Sequence, residues 1–196
     1  MHALLLARHG ESAFSVDQRV NGDPAVACGL TDAGRAQARA LGEALADWRF
    51  DLVAVTEFER VRETAELAVG DRGLPVVIVP ELNEPRYGEY EGGPLQAYLR
   101  WAWSSGPLDV PPGGEHRGEI ATRHAAGYRK LLDRPEYSIL FVGHSLGIRY
   151  VLDAADGRPP AAKADAVEHA TVYRLSRAEL ERAIDVLETW VASPAF

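Results

Sequence analysis

The chain has 196 residues, of which 46% are hydrophobic and 26% are charged. These values are those of an ordinary globular protein, and they exclude a disordered chain or a collagen-like repeat. Its 21 basic and 29 acidic residues give a net charge of −8, which disfavours a broad surface for nucleic acid or for an anionic membrane. We therefore expect no nucleic-acid and no membrane partner, and we expect any anionic ligand to bind in a local pocket.

The length fits one domain, so we predict a single domain over residues 1–196. Cys28 is the only cysteine, which excludes an intrachain disulfide and favours a cytoplasmic location. The apolar run at residues 3–7 is too short for a signal peptide or a membrane span, and it predicts a buried strand. No oligomeric state is predicted.

Short apolar runs predict strands at 2–8, 52–56, 76–79, 138–143 and 171–175, with a weaker one at 183–188. Helical spacing of apolar residues predicts helices over 59–69, 94–104, 115–132 and 145–155. A further helix begins after Thr31, whose side chain can cap free N–H groups. This alternation predicts an α/β fold, a three-layer α/β/α sandwich with a mostly parallel sheet.

Residues 94–114 break the alternation, and we predict a small lid insertion there over a pocket. Their helical stretch contains Tyr98, Trp101 and Trp103, and a loop rich in proline and glycine follows it. Aromatic residues at this spacing are typical of core or lid packing. If they form the lid, they favour an apolar leaving group on the substrate.

Two histidines directly follow predicted strands, His9 after the first and His144 after the run at 138–143. Ligands of open α/β sheets gather at the carboxyl ends of the strands, so the two rings could share one crevice. Arg60 lies near the start of a helix, where a cation gains nothing from the helix dipole, and an anionic ligand is one reason for that position. The loop at 81–92 carries four acids, one of which could donate a proton.

In this order, these motifs closely resemble those of the histidine phosphatase superfamily, the phosphoglycerate mutase-like enzymes, from residue 4 to about residue 175. The opening signature stands at residues 6–12, the helix start at 30–38 and the acid loop at 82–92. The other matching motifs are Arg60 with Thr64 and Ala65, Gly113-Gly114-Glu115, and Val142-Gly143-His144.

The resemblance implies a metal-independent phosphomonoester hydrolase that needs no cofactor and acts on a small phosphorylated substrate. It implies that His9 attacks phosphorus and forms a phosphohistidine, and that Arg8, Arg60 and His144 surround the phosphoryl oxygens. Glu84 matches the proton donor. The implied substrate-binding residues are Ser15, Asn21, Gly22, Tyr87 and Ser145.

Three alternatives remain. A mutase-type phosphotransferase shares the first chemical step, although the short insertion favours the phosphatase branch. A catalytically inactive binding module is disfavoured, because every residue of the implied mechanism is present. Gly143 to Gly147 also match the Gly-x-Ser-x-Gly motif of α/β-hydrolases, which would make Ser145 the nucleophile of a serine esterase, with a later aspartate and then His169.

The remaining histidines are expected to be structural or exposed rather than part of a site; they are His2, His116, His124 and His169. No His-x-x-x-His or Cys-x-x-Cys pair is present, so we predict no metal site.

Overall fold

The structure is a computed structural model that describes residues 1–196. Its single sheet contains β1 (Ala3–Arg8), β2 (Leu52–Val55), β3 (Val76–Ile78), β4 (Ser138–Gly143) and β5 (Val172–Ser176). The strand order is β3-β2-β4-β1-β5. Only β5 runs antiparallel to its neighbour. The predicted mostly parallel sheet is confirmed.

Seven α-helices accompany the sheet. They are α1 (Ala13–Val16), α2 (Asp32–Ala44), α3 (Glu59–Val69), α4 (Leu95–Ser104), α5 (Arg117–Leu132), α6 (Ser145–Ala155) and α7 (Arg177–Ala192). As predicted, the side chain of Thr31 caps α2 by accepting a hydrogen bond from the Gly34 N–H. None of the helices combines the length and the apolar composition that a membrane-spanning helix needs.

Strands β1, β2 and β4 are buried on both faces, and successive residues point to opposite layers. Leu4 and Leu6 of β1 belong to a cluster with α5, α6 and α7. Leu5 and Ala7 belong to a second cluster with α2 and α3. The predicted three-layer α/β/α sandwich is therefore confirmed.

The sixth strand, predicted at 183–188, was wrong, because these residues lie inside α7. Leu180, Ala183, Ile184 and Leu187 are all fully buried. Their spacing of three and four residues places them on one face of a helix that packs on the sheet. A short apolar run fits a strand or a buried helix equally well, and only the spacing of apolar residues over a longer segment distinguishes the two.

Helix α4 packs outside the two main clusters. Tyr98 and Ala102 form a small third cluster with Val20 and Tyr87, and Trp101 packs against it. The rings of Tyr98 and Tyr87 meet edge to face, with their centroids 4.6 Å apart. Helix α4 is thereby attached to the acid loop, as a lid requires, while the assignment of 94–114 as an insertion in a single domain stays a prediction.

The pairing of β1 with β4 places the two histidines that follow them at one edge of the sheet. Arg8 pairs with Gly143 at the end of the ladder, and the His9 N–H donates to the Gly143 carbonyl at 3.0 Å. The next residues in each chain segment, His9 and His144, therefore leave the sheet side by side.

Candidate active site

A cavity of about 310 Å³ opens at the carboxyl edge of the sheet, and we call it the phosphate cavity. Four of the five predicted catalytic residues line it: Arg8, His9, Arg60 and Glu84. Three of the predicted binding residues line it as well, namely Ser15, Asn21 and Tyr87. Segments separated by more than seventy residues of sequence thus meet around one small volume.

The ring of His9 is 4% exposed and is held in one orientation. Its Nδ1 lies 2.7 Å from the Gly10 carbonyl oxygen, so Nδ1 carries the proton and Nε2 keeps a lone pair. Burial, followed by the charges of Arg60 and Arg8, lowers the pKa of His9 well below its ordinary value. A neutral imidazole of this tautomer is the form that can attack an electrophile.

Gly10 allows the chain to turn closely against the start of α2. A Cβ atom there would lie 2.5 Å from the Gly34 carbonyl oxygen, which no side chain could accommodate. The Gly10 N–H donates to the Thr64 hydroxyl, and this hydroxyl in turn donates to the Arg60 carbonyl. The turn after His9 is therefore fixed to α3, the helix that carries Arg60.

The guanidinium of Arg60 is buried and held on several sides. It donates to the side-chain oxygen of Asn21, to the Asn21 carbonyl at 3.1 Å and to Nε2 of His9 at 3.3 Å. Its central carbon lies 4.4 Å from the centroid of the Phe58 ring. A cation preorganised in this way stabilises developing negative charge without reorganising during the reaction.

Arg8 supplies a second cation at the end of β1. Its Nη1 donates to the Val167 carbonyl at 2.8 Å, while its Nε is buried with no hydrogen-bond partner in the protein. A buried donor left unpaired costs about 1–3 kcal/mol, and such groups are typical of binding sites. An anion in the phosphate cavity would offer acceptors to this donor.

His144 lies beneath His9 rather than in the wall of the phosphate cavity. It is 2% exposed, and the centroids of the two rings are 5.5 Å apart. Its Nε2 lies 2.9 Å from the Thr56 hydroxyl oxygen, and its ring packs edge to face on Phe58. Burial, followed by the charge of Arg60, lowers the pKa of His144 well below its ordinary value, so this ring is neutral at pH 7.

Glu84 is the carboxylate of the phosphate cavity. Its Oε2 is buried with no hydrogen-bond partner in the protein. Burial raises the pKa of Glu84, although the charges of Arg60 and Arg8 oppose the shift. A carboxyl group with a raised pKa holds its proton to higher pH, which is the property of a general acid.

The position of Glu84 is set by Arg123 of α5. Arg123 donates to the carbonyls of Glu81 at 2.9 Å, Asn83 at 2.7 Å and Glu84 at 3.0 Å. Its Nε also donates to the buried carboxylate of Glu115, which itself accepts from the loop's backbone at the Arg86 N–H. The glycine-glutamate motif thus acts through Arg123, which holds the loop that carries the proton donor.

We expect Arg123→Lys to lower kcat by about 10- to 100-fold. A lysine has no planar guanidinium with which to reach three carbonyls, so Glu84 would shift. Misplacement of a catalytic group by ~1 Å can lower the rate by about 10²-fold. The affinity for orthovanadate should stay within about threefold, because Arg123 does not line the phosphate cavity. Arg129→Lys is the matched control, as Arg129 lies on the same helix in an exposed pair with Glu188. Equal losses in the two variants would contradict a positioning role for Arg123.

Two predicted binding residues lie elsewhere. Gly22 is absent from the phosphate cavity, and its N–H donates to the Glu91 carboxylate at 2.9 Å. A Cβ on Gly22 would lie 1.9 Å from the Pro85 carbonyl oxygen, so close backbone packing explains this glycine. Ser145 lines a neighbouring cavity, described below.

His169 was expected to be structural or exposed, but it lies at the site. It lines the phosphate cavity, and its ring centroid lies 5.5 Å from that of His9. Its Nδ1 lies 2.7 Å from the His9 carbonyl oxygen. The isolated bridge between Arg8 and His169 beside β5 is what brings it there, and no local motif marks this contact.

The serine esterase alternative lacks its geometry. The Ser145 hydroxyl oxygen accepts a hydrogen bond from the Val167 N–H at 2.9 Å. His169, the base that this alternative requires, is bonded to the His9 carbonyl. No hydrogen bond joins Ser145 to a histidine, so the Gly-x-Ser-x-Gly match reflects a strand-to-helix turn.

Comparisons with known proteins identify the family of this chain. A sequence profile of the histidine phosphatase superfamily (branch 1) matches residues 4–189. The phosphatase PhoE of Bacillus subtilis, described as uncharacterized, is 28% identical over 91% of this chain and 90% of its own length.

Two solved structures share the fold. The alpha-ribazole phosphatase from Shigella flexneri superimposes with a TM-score of 0.76 at 30% identity, covering 88% of this chain and 89% of that chain. The mycobacterial glucosyl-3-phosphoglycerate phosphatase in complex with VO3 gives a TM-score of 0.76 at 26% identity, covering 90% and 93%. Since the profile spans nearly the whole sequence and the fold is shared, this chain belongs to the histidine phosphatase superfamily, and it is a phosphatase.

Proposed function

We propose that this phosphatase hydrolyses small phosphomonoesters through a phosphohistidine formed on His9, with Glu84 as the proton donor. The observation that carries the proposal is the oriented ring of His9 beside the buried Arg60 and the half-buried Arg8. A nucleophile flanked by fixed cations suits attack on a phosphoryl group, whose charge is spread over three oxygens.

In the first step, Nε2 of His9 forms a bond to phosphorus, and the bond from phosphorus to the ester oxygen breaks. Glu84 gives its proton to that oxygen, so the leaving group departs as a neutral alcohol. The phosphoryl group stays on His9 as a covalent intermediate, and Glu84 is left as a carboxylate. Arg8 and Arg60 meet the charge of the phosphoryl oxygens throughout.

In the second step, the Glu84 carboxylate takes a proton from a water molecule as the water oxygen bonds to phosphorus. The bond between phosphorus and Nε2 breaks, which returns His9 to its neutral form and releases inorganic phosphate. Glu84 again holds a proton. One carboxyl group therefore serves as acid and then as base, which its raised pKa favours.

The experiment is to measure phosphate release from alkyl phosphomonoesters with and without a chelator such as EDTA. We expect inhibition by orthovanadate and a rate unchanged by EDTA, because every step uses side chains of this chain. No group of three or more His, Cys, Asp and Glu side chains is arranged to hold a metal ion. A loss of activity on chelation that added metal restores would contradict the mechanism.

The mutase-type alternative is tested on 3-phosphoglycerate with and without 2,3-bisphosphoglycerate. Isomerisation faster than phosphate release would replace hydrolysis as the main activity.

The net charge of −8 and the small volume of the phosphate cavity support a small phosphorylated molecule, rather than a nucleic acid or a membrane, as the partner. A cytoplasmic location is proposed on the single, unpaired Cys28.

A further inference from the structure

A second cavity of about 360 Å³ adjoins the phosphate cavity, and we call it the apolar pocket. The two cavities share Arg8, Glu84, Tyr87, Leu95 and Ala166 in their walls. Its volume lies within the range of about 300–1,000 Å³ that small-molecule sites occupy. A phosphate ester whose phosphoryl group lay beside His9 could extend past Glu84 into this volume.

Most of the residues that line the apolar pocket are hydrophobic. Helix α4 contributes Leu95, Tyr98, Leu99 and Trp103, whose helical spacing places them on one face. Leu146, at the start of α6, also lines the apolar pocket. The two tryptophans of α4 therefore differ in role, since Trp101 packs into the small cluster whereas Trp103 faces the pocket.

Two of the four charged residues of the apolar pocket, Arg8 and Glu84, also line the phosphate cavity, where Arg8 would contact the phosphoryl group. The other two, Arg117 and Asp165, do not favour a second anion. Arg117 is 8% exposed, and its guanidinium already donates to the Tyr150 hydroxyl and to the carbonyls of Ala161 and Ala162. Asp165 contributes an exposed carboxylate to the wall, which repels an anionic group. Tyr98 also lies in the wall, and burial raises its pKa to about 12, so its phenol stays uncharged.

One further cation lies nearby. The ammonium nitrogen of Lys163 is 5.2 Å from the centroid of the Trp103 ring, where it makes a cation–π contact. Lys163 does not line the apolar pocket. The pocket thus offers a leaving group apolar surface and few free hydrogen-bond donors.

We propose that the apolar pocket binds the leaving group, and that the preferred substrates are monophosphate esters of uncharged aromatic or aliphatic alcohols. This inference rests on the proposed function, since it places the phosphoryl group beside His9. It agrees with the position of Glu84 in the walls of both cavities, where its proton would reach an ester oxygen at their boundary.

The test compares three esters of primary alcohols, so that the leaving oxygens are chemically similar: 2-phenylethyl phosphate, glycerol 3-phosphate and 3-phosphoglycerate. We expect kcat/KM for 2-phenylethyl phosphate to exceed that for glycerol 3-phosphate by about tenfold or more, since a buried ring gains more from leaving water than a hydroxylated chain does. The carboxylate of 3-phosphoglycerate should make it the poorest of the three.

Two variants locate the preference in the pocket. Trp103→Ala should lower kcat/KM for 2-phenylethyl phosphate by about three- to tenfold and change that for glycerol 3-phosphate by less than about twofold. Trp48→Ala is the matched control, because Trp48 is exposed to nearly the same extent, 38% against 40%, and lines neither cavity. Asp165→Asn should raise kcat/KM for 3-phosphoglycerate by about two- to fivefold relative to that for 2-phenylethyl phosphate, which carries no charge on its leaving group.

The outcomes separate the inference from the function on which it rests. Hydrolysis that depends on His9 but favours glycerol 3-phosphate or 3-phosphoglycerate would overturn the inference and leave the function intact. Equal effects of Trp103→Ala and Trp48→Ala, or no response of 3-phosphoglycerate to Asp165→Asn, would also overturn it. Absence of phosphate release from all three esters would overturn both.

Discussion

Replacing His9 by alanine is expected to abolish phosphate release, with kcat falling by about 10⁴-fold or more. The variant lacks the atom that bonds to phosphorus, and losses of this order follow removal of a nucleophile that acts as one unit with its neighbours. The wild-type protein, quenched without acid during turnover, should carry one phosphoryl group on His9. Mass spectrometry of the quenched protein measures this adduct, which should be absent from His9→Ala.

His2→Ala is the control, because it removes an exposed imidazole that precedes β1 at the opposite edge of the sheet. It should retain full activity. An adduct on another residue, or an active His9→Ala protein, would disprove the phosphohistidine on His9. Labelling of Ser145 by a fluorophosphonate in an active His9→Ala protein would instead establish the serine esterase.

Glu84→Gln is expected to lower kcat for an alkyl ester such as 2-phenylethyl phosphate by about 10²- to 10⁴-fold, with little change in KM. The amide matches the shape of the carboxyl group but has no acidic proton to transfer. With p-nitrophenyl phosphate, whose leaving group needs little protonation, the first step should survive. A burst of p-nitrophenol followed by slow turnover should then appear in stopped-flow absorbance, since the attacking water still lacks its base.

Glu81→Gln is the matched control, because Glu81 lies in the same loop and pairs with Lys130 outside the phosphate cavity. It should change kcat by less than about twofold. If Glu84→Gln behaved like Glu81→Gln on the alkyl ester, the proton donor would have to be another group.

The pH profile of kcat/KM, which reports the pKa values of the free enzyme, gives a second readout of the same assignment. His9 must be neutral and its pKa is lowered, so the acid limb should lie well below pH 6.5. Glu84 must be protonated and its pKa is raised by burial, so activity should fall as pH rises through that value. In Glu84→Gln the alkaline limb due to Glu84 should disappear and the acid limb should remain, because His9 is unchanged.

Helix α7 and strand β1 differ in how well their local sequences predict them. The strand predicted at 183–188 is part of a helix because four apolar residues in a run of six do not distinguish a strand from one face of a helix. The strand predicted at 2–8 is confirmed as β1, because the apolar run at residues 3–7 is short and ends at the polar residues Arg8 and His9.

The local order of residues by itself determined the alternation of strands and helices, the cap at Thr31 and the motifs around His9, Arg60, Glu84 and His144. Each of these depends on neighbours within a few positions of the chain. Tertiary structure alone decided three other features: the hydrogen bonds of Arg123 to three carbonyls, the contact of His169 with His9, and the apolar pocket between α4 and α6. Such contacts join segments tens of residues apart, and they exist only once the packing of the layers has fixed those segments in space.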